Sequence, residues 1–95
     1  MVKKQTAGNK GKKRVTFSLE AEAGKKISVA GSFNNWEENK KILKEKDGLY
    51  KGTLMLSPGT YEYKFCVDGE WMVDPNNPEF EANELGTLNS VIHVA

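Results

Sequence analysis

Two tryptophans, Trp36 and Trp71, and Lys64, seven residues before the second, are where this sequence offers chemistry. An indole is a flat apolar plate with one polar handle, and an ammonium is a compact donor on a long stem. With amides and hydroxyls at the rim, that set suits a ligand with flat C–H faces ringed by hydroxyl groups, as a sugar has. Tryptophan is highly buried on average, so each ring is also a candidate core residue. Two local facts favour the surface. Trp36 follows Asn34-Asn35 and precedes Glu37-Glu38, and Trp71 stands beside a turn with parity opposite to Met72.

The stretch that must position them is Tyr61–Trp71, YEYKFCVDGEW. Tyr61, Tyr63, Phe65 and Val67 alternate with Glu62, Lys64 and Cys66, which puts four apolar side chains on one face of a strand and Lys64 on the other. Asp68-Gly69 is a pair suited to a two-residue type I′ hairpin, and Trp71 begins the return strand. Upstream, Val15, Phe17 and Leu19 mark a first strand, and Ile27, Val29, Gly31 and Phe33 a second, broken by Asn34-Asn35. A third, edge-like strand is expected within 40–46, where lysines discourage edge pairing. Asp47-Gly48 signals another hairpin, leading into a strand over 49–56 that ends at Ser57-Pro58-Gly59. Residues 74–85, with Pro75 and Pro78, read as a long loop. Leu88–Val94 is the last strand. About seven short strands with frequent turn signals and no helical period predict an all-β, immunoglobulin-like antiparallel β-sandwich.

Composition narrows the partners. Residues 1–14 hold six bases and no acid, and the remaining eight bases face 13 acids, a net of −5. Residues 1–13 read as a disordered basic tail and residues 14–95 as one domain, a size that supports a single core. The KGKKR cluster at 10–14 could serve nucleic acid or an anionic membrane, but an acidic body argues against nucleic acid. No apolar run approaches the roughly 20 residues of a membrane span, and no apolar segment follows the N-terminal lysines, so no membrane partner and a cytoplasmic location are the expectation. Cys66 is the only cysteine, which rules out an internal disulfide and reads as an inert strand residue.

Catalytic templates fail. There is no phosphate-cradling glycine loop, HExxH, CxxC or GxSxG, and His93, the only histidine, has no plausible nucleophile beside it in sequence. Asp74, Asn76, Asn77 and Glu79 are oxygen donors in one loop, but their spacing matches no standard calcium loop, and Asx turns around the prolines explain them better. No metal, cofactor or enzymatic activity is expected. A binding module is, with sugar as one class of ligand and a protein partner anchored on the same aromatic surface as the alternative.

GSFNNW (31–36), YEYKFCVDGEWMVDP (61–75) and LGTLNSVIHV (85–94) resemble carbohydrate-binding module family 48, most of all its glycogen-binding branch from the AMP-activated protein kinase β-subunit. The likeness runs from about Val15 to Val94. It implies an immunoglobulin-like sandwich that binds α-1,4-linked glucan polysaccharide or oligosaccharide without catalysis, with a separate glycogen-metabolising enzyme or kinase as a further partner. It implies that Trp36 and Trp71 stack on sugars. It also implies that Lys64, Thr87 and Asn89 make polar contacts and that Leu85 projects into the curve of the ligand. Parity agrees for Lys64 and Asn89, each opposite its strand's apolar residues. The expectation is that both indoles lie coplanar and exposed on one surface with Lys64 and Asn89.

Overall fold

The computed structural model describes residues 11–95. Most of the expected tail, residues 1–10, lies outside them, and Lys13 already opens the first strand. The strands are β1 (Lys13–Glu20), β2 (Ile27–Gly31), β3 (Lys44–Lys46), β4 (Leu49–Leu56), β5 (Gly59–Val67), β6 (Glu70–Met72), β7 (Phe80–Ala82) and β8 (Leu88–Val94). They form two antiparallel sheets. One has the order β1-β4-β3, and the other the order β2-β5-β8-β7, with β6 pairing to β5 off that path. The all-β sandwich is therefore as expected, with one strand more than the sequence announced. Strand β7 lies inside the stretch read as loop. It is three residues long and exposed, too short for its Phe-Glu-Ala alternation to announce a strand, and backbone pairing with β8 makes it one.

The alternating residues converge as their period requires. Phe17 and Leu19 from β1, Ile27 and Val29 from β2, Leu43, Tyr50 from β4, and Tyr63 and Phe65 from β5 are buried in one core. Phe17 packs edge-on to Tyr63 with ring centroids 5.0 Å apart, and Tyr63 edge-on to Phe65 at 6.1 Å. Each buried phenol has partners for its hydroxyl. Tyr50 donates to the carbonyl of Glu22 and accepts from the amide of Lys25, which ties down the 21–26 loop. Tyr63 donates to Asp74 Oδ2 at 2.7 Å and accepts from Asn77 Nδ2. Burial first, and then the Asp74 carboxylate, push the Tyr63 phenol well above its ordinary range.

Both Asp-Gly pairs form two-residue hairpins with both residues left-handed. The angles are φ 53° and 82° at Asp47-Gly48, and 49° and 90° at Asp68-Gly69. The second turn is also pinned from outside. Asp68 accepts from the Lys26 amide through Oδ1 at 2.7 Å and donates its own amide to the Lys26 carbonyl. The β5–β6 hairpin is thereby locked to the edge of β2.

Strand β2 stops at Gly31, two residues short of expectation, because Ser32–Trp36 turns away. At that point the backbone runs so close to β5 that only glycine fits: a Cβ at position 31 would strike the Glu62 carbonyl and sit 2.8 Å from Tyr63 Cβ. Gly31→Ala is expected to destabilise the fold by about 1–3 kcal/mol, read as a lowered urea midpoint at unchanged slope. Cys66 gives a pH test. It is buried with its thiol 3.6 Å from Glu38 Oε2, and burial, then the Glu38 carboxylate, raise it above its ordinary 9.0. A thiol raised by folding supports the fold fully below the unfolded value. That support fades as pH climbs through the folded one, so stability should fall above about pH 9 in the wild type and less in Cys66→Ala. Thiol reagents at pH 8 should label Cys66 much more slowly in the native protein than in denaturant.

Candidate functional site

One edge of β5 is shared by two strands. Gly59–Tyr63 pair with β8, and Phe65–Val67 pair with β6. Strand β8 must leave β5 where β6 begins, and the divergence opens a groove of about 1010 Å³. Its walls include Trp36, Lys64, Trp71, Leu85, Thr87 and Asn89. These are the six residues named from sequence, drawn from four separate segments. Trp71 pairs with Cys66 in register and so shares the outer face of β5 with Glu62 and Lys64.

Trp36 is placed by a strained turn. Asn34 Oδ1 accepts from the Gly31 amide, and the amides of Asn34 and Trp36 both donate to the Gly31 carbonyl at 3.0 Å. Asn35 and Trp36 are left-handed, at φ 58° and 60°. Asparagine tolerates that conformation, whereas a tryptophan there costs on the order of 1 kcal/mol or more. The strain turns the ring back over the sheet. Both indoles are surface residues, Trp36 at 37% and Trp71 at 43% exposure. They are not coplanar. Their centroids lie 6.5 Å apart with the planes at 69°, edge to face. The approach from a turn on one side and a hairpin on the other lets the positive ring edge of one indole meet the negative face of its neighbour. The result is an angled cradle in place of a flat platform, a shape that follows a curved chain better than a straight one.

The polar rim is a path of hydrogen bonds that leaves β5 and returns to it. Lys64 Nζ donates to Thr87 Oγ1 at 3.0 Å, bridging the groove from β5 to the 83–87 loop. Asn83 Nδ2 donates to Thr87 Oγ1 at 2.7 Å and to Asn89 Oδ1 at 3.1 Å. Asn89 Nδ2 donates to Glu62 Oε1 at 2.9 Å, returning to β5 two residues from the start. Asn89 is therefore buried, at 6% exposure, where the sequence suggested an open amide: Glu62 and Asn83 flank it. Leu85 stands out at 88% exposure on the tip of the same loop, where Gly86 is left-handed at φ 83°. Asn83 and Glu62 were not singled out from sequence. Glu62 was within reach, since it shares the wet parity of Lys64, whereas Asn83 carried only the weak signal of an asparagine before a Leu-Gly turn.

The other candidate donors are engaged in local structure. Asp74 Oδ1 accepts from the Asn76 amide and Asn77 Oδ1 from the Glu79 amide, the Asx turns expected around the prolines. Glu79 Oε2 lies 2.6 Å from His93 Nε2, and His93 Nδ1 lies 3.0 Å from Thr60 Oγ1, on an exposed strand face. Among the described residues no group of three or more His, Cys, Asp and Glu side chains gathers as a metal site would require. No helix among them is long and apolar enough to cross a membrane.

Known proteins share this sequence and this architecture. The AMP-activated protein kinase β-2 subunits of Homo sapiens and Mus musculus are each 40% identical over 81 residues, which is 85% of this chain and 29% of theirs. The β-1 subunit of Rattus norvegicus is 41% identical over 71 residues, 75% of this chain and 25% of the subunit. The chain thus spans less than a third of the length of these relatives. Among solved structures, the maltogenic amylase from S. marinus superposes with a TM-score of 0.75 at 23% identity, covering 90% of this chain and 14% of the amylase, a likeness of fold. A sequence model described as the glycogen recognition site of AMP-activated protein kinase matches residues 14–95. With nearly all of its described residues inside that match, the chain belongs to this glycogen-recognition family.

Proposed function

We propose that the chain is a non-catalytic binding module for α-1,4-linked glucan, whether glycogen, starch or maltooligosaccharide. The observation that carries the reading is the convergence of two exposed indoles, an ammonium and a hydroxyl on one groove. Trp36 and Trp71 would each take a glucose face, and their 69° inclination suits residues that turn along a helical glucan. Lys64, Thr87 and Asn89 would hold hydroxyls, and Leu85 would fill the inside of the curve. Membership of the glycogen-recognition family supports the same ligand. Kinship with kinase β-subunits supports a role in bringing a separate glycogen-metabolising enzyme or kinase to the polymer.

Each ring that loses on the order of 100 Å² of apolar contact to water-free stacking contributes at most ~2.5 kcal/mol. After association and desolvation costs, about 4–7 kcal/mol remains, a dissociation constant between about 1 mM and 10 µM. Binding at many sites along a polymer would raise the apparent affinity. Maltoheptaose should therefore change the tryptophan fluorescence with a midpoint in that range. Trp71→Ala should weaken binding about 10- to 100-fold. Silence at about 10 mM sugar, or an unaltered titration in Trp71→Ala, would falsify the reading. The maltoheptaose should also emerge unshortened after prolonged incubation, as chromatography of the sugar would register. Retention on amylose resin and release by maltose separates glucan from a protein partner as the occupant.

A further inference from the structure

We propose that Asn83 is the positioning residue of the groove, and that it acts by leaving the Thr87 hydroxyl able only to donate to the ligand. The inference rests on the glucan-binding reading above and assigns a role to a residue outside the set expected to touch sugar. A carboxamide has two N–H donors and one oxygen with two lone pairs. In Asn83 all four are used inside the protein. Oδ1 accepts from the amides of Leu85 at 2.9 Å and Thr87 at 3.0 Å, and Nδ2 donates to Thr87 Oγ1 at 2.7 Å and Asn89 Oδ1 at 3.1 Å. Nothing remains for a ligand. The direction of the side chain is not ambiguous either, because backbone amides can only donate and so must face the oxygen.

Thr87 inherits the consequence. Its Oγ1 accepts from Asn83 Nδ2 and from Lys64 Nζ, which occupies both lone pairs. The one capacity left is its O–H, and the side chain is exposed in the groove. A threonine hydroxyl that would otherwise donate or accept at will is thereby restricted to donation, toward an acceptor oxygen of the bound sugar. The two ends of the path are fixed in role. Lys64 can only donate, and Glu62, as a carboxylate, accepts from Asn89 Nδ2. Between them Thr87 accepts from both sides, and from Asn83 the bonds run through Asn89 to Glu62, with Asn83 at the junction that also closes the loop under Leu85.

Asn83→Asp tests this role apart from simple loop support. The variant keeps an oxygen for the amides of Leu85 and Thr87 but exchanges both N–H donors for an acceptor. The Thr87 hydroxyl must then turn inward to donate to the new carboxylate. The expected result is protected Leu85 and Thr87 amides in hydrogen exchange together with a three- to tenfold, roughly, weaker affinity for maltoheptaose. In a Thr87→Val background, already weakened, Asn83→Asp should cost little more, because the hydroxyl it redirects is gone. Wild-type affinity in Asn83→Asp overturns the proposal. So does an equal loss with and without the Thr87 hydroxyl, or a loss accompanied by unprotected loop amides, which marks a structural role alone. A wild-type chain that gives no response to maltoheptaose overturns the glucan reading and the proposal with it, whereas the other outcomes, obtained with a binding wild type, bear on Asn83 alone.

Discussion

A strand edge can satisfy only one neighbour at a time, and the site follows from that limit. The backbone of β5 pairs with β8 as far as Tyr63 and with β6 from Phe65 onward. Neither neighbour can occupy the other's stretch, so the two part, and the space between them is the groove. On its opposite edge β5 is held along Tyr63–Val67 by β2, so the segment flanking the fork is fixed from behind. The core serves the same end, since Tyr63 and Phe65 are buried beneath the wet face that carries Glu62 and Lys64. Tyr63 also reaches through its hydroxyl to Asp74 and Asn77, which anchors the start of the long segment that returns as β7.

The groove combines two kinds of order. The apolar part is held by backbone: a left-handed turn for Trp36 and a two-residue hairpin, pinned by Asp68 to β2, for Trp71. The polar part is held by side chains bonded to one another in a circuit that starts and ends on β5. Buried or half-buried polar groups are costly when left unpaired, and here they are paired: no buried side-chain nitrogen or oxygen among the described residues lacks a partner. A rim satisfied in the absence of ligand loses little by waiting, and its remaining capacities are few and directed. Preorganisation of this kind limits what must be ordered when a flexible sugar binds.

Much of this was legible in the residues, and the failures have physical causes. The alternation of Tyr61–Val67 is a local property, so the burial of Tyr63 and Phe65 and the wet parity of Lys64 could be read directly. The Asp-Gly pairs could be read for the same reason, since left-handed backbone restricts residue type at a single position. Strand β7 could not, because its strand character comes from the partner that β8 provides 6–10 residues later. The 69° between the indoles depends on how two distant turns meet, which no spacing encodes. Asn89 was placed on the correct face, but its burial comes from Glu62 and Asn83, neither of them adjacent in sequence. The family likeness named the six groove residues together, whereas the circuit that orients three of them had to be seen in three dimensions.

The two indoles have one more property, which concerns light. Two indoles with ring centroids 6.5 Å apart and planes at 69° are close enough for their transition dipoles to share excitation, and a skewed pair absorbs left- and right-handed polarised light unequally. The coupling falls with the cube of separation, and the unequal absorption it produces is lost when either ring is removed. The groove therefore carries its own chiroptical label. Whatever settles between Trp36 and Trp71 must alter the one signal that only the pair, and neither ring alone, can produce.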